Sequence, residues 1–185
     1  MKTTDYLSLI IKELEQTATL ISDSEADQLV EALLNAKKVF VTGAGRSGLA
    51  GKAFVMRMMH MGIDAYVVGE TVTANLEQGD LLIVCSGSGE TRTLIPIAEK
   101  AKELGGTVVT VTINPQSTIS TIADRIIQLP GITKDGSAGS YQTIQPMGSL
   151  FEQTMLLFFD AVILRFMEIK QLDSNTMYGK HANLE

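Results

Sequence analysis

LLIVCSGSGET, from Leu81 to Thr91, is an unbroken apolar run that gives way to glycines and hydroxyl residues. A short run with no polar alternation fits a strand covered on both faces, and a Gly/Ser turn is where such a strand stops. The same grammar appears earlier in VFVTGAGRSGLAGKAF, from Val39 to Phe54. Working outward, apolar runs recur at Val39–Val41, Ala65–Val68, Val108–Val111 and Ile126–Leu129. Helical patterns lie between them, at about Leu49–Met61, Thr93–Leu104 and Ser117–Ala123. Pro96 falls early in the second of these, where a missing N–H costs least. This alternation predicts an α/β fold, with five parallel strands in a three-layer αβα sandwich. Ligands of such sheets bind beyond the carboxyl ends of the strands.

The flanks read as helices. Leu7, Ile10, Ile11, Leu14 and Ala18 follow the i, i+3, i+4, i+7 rule, and Ser22 with Glu25 announces a second helix carrying Leu29, Leu33 and Leu34. Residues Pro130–Gly148 are rich in Gly, Ser and Thr and lack periodicity, which predicts a long loop, functional or mobile. SLFEQTMLLFFDAVILRFME then follows, apolar nearly all round, which predicts a buried helix, against the chain's own core or another subunit. The expected organisation is one domain over residues 1–185. It has N-terminal helices at 1–36, a parallel βα core at 37–130, and a C-terminal helix and tail at 149–185.

Composition excludes several classes. Fifteen Lys and Arg against 21 Asp and Glu give a net charge of −6 with no basic run, which argues against nucleic acid as a partner. A single cysteine, Cys85, rules out a disulfide framework and makes a cysteine-based zinc site implausible. MKTTDYLSLIIKELEQ has too short an apolar run for a signal sequence. Met155–Met167 carries Asp160 and Arg165 and is shorter than the ~20 residues of a membrane span. A cytoplasmic protein with no membrane partner is therefore expected.

Two turns carry the chemistry. Gly43-Ala44-Gly45-Arg46-Ser47-Gly48 follows a strand and opens a helix, and it matches G-x-G-x-x-G with Glu70 near the end of the next strand. Taken alone it reads as a dinucleotide site or as a plain βα turn. The second turn is more informative. Ser86, Ser88 and Thr91 supply hydroxyls, while Gly87 and Gly89 expose backbone N–H groups, a donor surface suited to phosphate. A nicotinamide site does not need this second loop.

Together these segments resemble the SIS (sugar isomerase) domain of phosphosugar isomerases and phosphosugar-binding regulators. Within that family, MRMMHMG at Met56–Gly62, PMGSLFE at Pro146–Glu152 and KHANLE at Lys180–Glu185 look like the 6-phospho-3-hexuloisomerases. Lys180 stands where Arg is more usual, which keeps the charge but loses bidentate geometry. The resemblance implies a flavodoxin-like sheet, no metal and no cofactor, and a homotetramer with sites near subunit interfaces. It also implies a phosphorylated hexulose as substrate, with a non-catalytic phosphosugar-binding regulatory module as the alternative. D-arabino-hex-3-ulose 6-phosphate and fructose 6-phosphate would interconvert through a 2,3-enediol.

Such a reaction needs one base poised above two carbons, a second group for the developing oxyanion, and an anchor for the phosphate. The resemblance nominates Glu152 as base, although Ser149 and Glu152 also spell an S-x-x-E capping box. His60 and His181, the two histidines, are candidates for the second group, either of them across an interface. Gly45, Arg46, Ser47, Ser86, Gly87, Ser88, Gly89 and Thr91 are the substrate-binding candidates. Cys85 reads as a small buried apolar residue, and Met56, Met58, Met59 and Met61 as packing.

Overall fold

The computed structural model describes residues 1–134, 136 and 141–183. Part of the Pro130–Gly148 loop and the last two residues of KHANLE lie outside the described residues. The elements run α1 (Thr3–Ala18), α2 (Asp23–Asn35), β1 (Val39–Gly43), α3 (Gly45–His60), β2 (Ala65–Val67) and β3 (Leu81–Cys85). They continue with α4 (Ile95–Glu103), β4 (Thr107–Thr112), α5 (Thr118–Ile122), β5 (Arg125–Gln128), α6 (Ser149–Lys170) and α7 (Ser174–Tyr178).

All five strands are parallel, in the order β2-β1-β3-β4-β5. Strand residues alternate between the two layers because successive side chains point to opposite faces. Val39, Val41, Ile83 and Cys85 enter one core with α2, α3 and α6, and Phe40, Leu82 and Val84 enter the other with α4 and α5. Phe54 of α3 stacks on Phe159 of α6, with ring centroids 4.1 Å apart and planes 4° from parallel. That pair locks the two helices that flank the site.

The chain leaves β1 for β2 on one side and reaches β3 on the other. The sheet therefore has its topological switch point between β1 and β3, where a crevice opens in folds of this order. Register places Gly43 directly opposite Cys85, so the two glycine-rich turns emerge side by side.

Two local expectations are amended. α3 begins at Gly45, inside the glycine motif, not at Leu49. The tail forms α7, which the sequence reading did not anticipate; Met177 packs against the first core. Within one chain, part of the apolar surface of α6 and of the α1 stripe stays uncovered. Leu156, Leu157 and Leu164 are exposed on α6, as are Leu7 and Ile11 on α1, because α1 is the outermost layer and crosses only part of α6. Among the described residues no helix is long and apolar enough to cross a membrane.

Candidate active site

The crevice at the switch point holds a cavity of ≈ 250 Å³. Its walls include Ala44 and Ser47 from the turn after β1, and Ser86, Gly87, Ser88 and Thr91 from the turn after β3. Residues 132–134 and Gly148 form its rim, and Phe151 and Glu152 enter from the first turns of α6. Residues more than a hundred positions apart thus share one small space.

Both turns are shaped by close backbone packing. A Cβ on Gly48 would lie 2.5 Å from the Gly43 carbonyl oxygen, so only glycine lets α3 start this tightly against β1. Gly89 has φ +66°, and a Cβ there would meet Ser117 Oγ at 1.9 Å. In the second turn, Ser86 Oγ accepts from Gly89 N at 3.2 Å and lies 3.2 Å from Thr91 Oγ1. Ser88 Oγ accepts from Glu90 N at 3.2 Å. Glu90 itself is structural. Its carboxylate accepts from Thr118 Oγ1 and Thr118 N, both at 2.7 Å, and those bonds hold its carboxyl below the usual carboxylate range.

Glu152 is buried at 6 % exposure, and its Oε2 pairs with Arg46 Nη1 at 3.2 Å. The same Arg46 nitrogen donates to Ser149 Oγ at 2.8 Å. The capping-box reading of Ser149 and Glu152 is corrected here. The N-cap of α6 is Gly148, with no side-chain cap, and Ser149 is the first helical residue. Glu152 is therefore one position too far along to reach back to the cap, and its carboxylate is left for the cavity.

Of the other anticipated residues, Gly45 and Arg46 start α3 beside the cavity. Glu70, the acidic residue of the dinucleotide reading, is bound to Lys52 and does not line the cavity. Cys85 forms part of the wall, but burial pushes its thiol up to about 12, so it is no nucleophile at neutral pH.

The histidines come together, but away from this cavity. His60 is buried at the last turn of α3 and stacks on His181, with centroids 5.2 Å apart. Burial, then the charges of His181 and Arg57, push the His60 pKa down. Ser47 and His60 lie 13 helical steps apart, which is about 20 Å at the α-helical rise. Within one chain the pair stands at the far end of α3 from the cavity.

Lys134 is a site residue that sequence reasoning passed over. Its Cγ lies beside Gly148 and its ammonium beside Gly45, and among the described residues it forms no ion pair. The available signal was a lysine in the loop that leaves the last strand at its carboxyl end, where this fold binds ligands.

Residues 32–157 match the SIS domain family. The chain belongs to the SIS-domain family. Over its full length this SIS domain is 59% identical to the 3-hexulose-6-phosphate isomerase of Bacillus subtilis (strain 168), across 185 residues and 100% of each chain. It is 36% identical over 182 residues to the 3-hexulose-6-phosphate isomerase of Mycobacterium gastri, covering 98% of this chain and 91% of that one. A crystal structure from Methanococcus jannaschii, which infers a molecular function of 3-hexulose-6-phosphate isomerase, matches with TM-score 0.84 and 32% identity. That match covers 98% of this chain and 99% of the other.

Proposed function

We propose that this SIS domain is an isomerase that interconverts D-arabino-hex-3-ulose 6-phosphate and D-fructose 6-phosphate through a 2,3-enediol. The reading places it in the ribulose monophosphate route of formaldehyde fixation. The observation that carries it is the buried Glu152 carboxylate in one cavity with two hydroxyl-bearing turns. The full-length relatives that carry the isomerase name support it.

Ser47, Ser86, Ser88 and Thr91, with the neighbouring backbone N–H groups, anchor the phosphate. Lys134 supplies the countercharge that hydroxyls lack. Anchoring the far end of the sugar sets C2 and C3 in front of Glu152. The Glu152 carboxylate takes the proton from C3 of fructose 6-phosphate. The C–H electron pair becomes the C2–C3 double bond, and the former C2 carbonyl oxygen gains a proton. The C3 hydroxyl then gives up its proton as the C3 carbonyl forms, and Glu152 returns its proton to C2. The shift is complete without a redox partner. Arg46 pairs with the carboxylate and aims it.

His60 and His181 act on this chemistry from a neighbouring chain in a homotetramer. Their distance from the cavity within one chain and the exposed apolar faces of α1 and α6 support that arrangement. The test is conversion of fructose 6-phosphate by the purified protein, with and without EDTA. The expected result is an equal rate in both and its loss in Glu152→Gln. A wild-type protein that leaves fructose 6-phosphate unchanged overturns the reading.

A further inference from the structure

We propose that Glu13 of α1 is a positioning residue for the isomerase site, acting by pinning the segment that leads into α6 and so setting the place of Glu152. This rests on the reading of Glu152 as the base. Glu13 Oε2 accepts from Thr143 Oγ1 at 2.6 Å and from Gln145 Nε2 at 2.9 Å, and its Oε1 accepts from Ile144 N at 2.8 Å. One carboxylate therefore binds three consecutive residues some 130 positions away in sequence. One turn along α1, Gln16 Oε1 accepts from the Tyr141 hydroxyl at 2.9 Å.

The same helix grips α6. Thr17 lies four residues after Glu13, on the same face of α1, and its hydroxyl is 3.2 Å from that of Thr154. A single rigid rod thus fixes residues 143–145 at one point and α6 at another. The connector between them, Pro146–Gly148, has no slack. Met147 sits at φ +58° with no glycine to relieve it, a conformation that persists only where the surroundings impose it. Gly148 then caps α6, and Glu152 follows one turn later. Moving residues 143–145 would change the start of α6 and with it the aim of the Glu152 carboxylate.

The experiment compares Glu13→Gln with wild type for kcat and KM on fructose 6-phosphate, the Ki of inorganic phosphate as competitive inhibitor, and the melting temperature. The substitution keeps the size of the side chain, but an amide cannot satisfy three donors. Displacing a base by about 1 Å is worth roughly 100-fold in rate, so kcat is expected to fall about 10- to 100-fold. The Ki of phosphate stays at the wild-type value, because the turns after β1 and β3 make no contact with Glu13. Thr143→Val removes one of the three bonds to Glu13, together with the bond that Thr143 Oγ1 accepts from Gln145 N at 3.0 Å; it lowers kcat less, and the double variant is no worse than Glu13→Gln. An unchanged kcat overturns the proposal, as does a Ki that rises in step with KM. If Glu13→Gln fails to fold, Thr143→Val and Gln145→Leu decide by the same readouts. A wild-type protein without isomerase activity, or an active Glu152→Gln, overturns the base itself and is seen without any Glu13 variant.

Discussion

Glu152 and Lys134 line one cavity with opposite charges and different neighbours, which makes their replacements diagnostic. Glu152 spends Oε2 on Arg46 and keeps Oε1 beside Gly148. Glu152→Gln retains a hydrogen bond to Arg46 but cannot accept a proton, and Arg46 is 56 % exposed, so its charge stays solvated. The variant is expected to fold, to bind fructose 6-phosphate, and to lose about 10²–10⁴-fold in kcat, as removal of a general base does. Near-normal turnover in a steady-state assay would remove Glu152 from the chemistry. Lys134→Met keeps the length of the stem and removes the charge. Its expected signature is a rise in the KM for fructose 6-phosphate and in the Ki of phosphate together, with most of both recovered in Lys134→Arg. A loss confined to kcat would instead place the ammonium at the reacting carbons. The hydroxyls of the two turns were legible because Gly/Ser motifs advertise themselves in sequence. Lys134 was not, since nothing local to a lysine in a loop says that the loop folds back over a cavity.

At the scale of elements, β1 and β3 were legible because buried parallel strands are short apolar blocks, and the turns after them follow from glycine placement. The start of α3 was not, because Gly45, Arg46, Ser47 and Gly48 include two glycines and a serine, poor helix formers, and the helix forms there only by packing Gly48 on Gly43. The capping pattern at α6 misled for a related reason: the tertiary hold on residues 143–145 starts the helix one residue earlier than the local S-x-x-E signal. α3 also explains the histidines. It carries Ser47 at one end and His60 at the other, and α7 brings His181 onto His60. Since burial and the neighbouring charges lower the His60 pKa, the folded protein takes up this proton less readily than the unfolded chain. The stability this group contributes is therefore present above the unfolded value of about 6.5 and drains away as pH falls below it. Urea midpoints measured across that range should fall with pH in wild type and fall less in His60→Gln. Parallel curves for the two proteins would show that His60 is not the group responsible.

The whole molecule presents more apolar surface than its sheet and helices cover. α1, α2 and α6 enclose a groove of ≈ 550 Å³ walled by Leu14, Ile21, Val30, Leu157, Phe158 and Val162. Leu7 and Ile11 extend the Leu14 stripe along α1, and Leu164 extends that of Leu157 along α6; Leu7, Ile11, Leu157 and Leu164 are all more than half exposed. The composition of α6 already pointed to a covered helix, but the sequence offers no way to divide its apolar residues between the chain's own core and a neighbour. The structure makes that division: Phe151, Met155, Phe159 and Ile163 face inward, and Leu157 and Leu164 face out. Contiguous apolar surface of this kind marks an interaction site, and the proposed second copy of the chain would also account for the distant histidines. Sedimentation equilibrium at micromolar concentration should give a mass above that of one chain. Leu157→Glu combined with Leu164→Glu places charges on the exposed face while leaving the inward residues alone, so it should yield a folded monomer. That monomer separates the two halves of the site. The two Gly/Ser turns and Glu152 belong to one chain, so the Ki of phosphate should be unchanged, whereas the histidine proposed to come from the neighbour would be lost and kcat should fall with it. A monomer that turns over fructose 6-phosphate at the wild-type rate would mean that one chain holds the complete site and that the His60–His181 pair serves only to dock the tail.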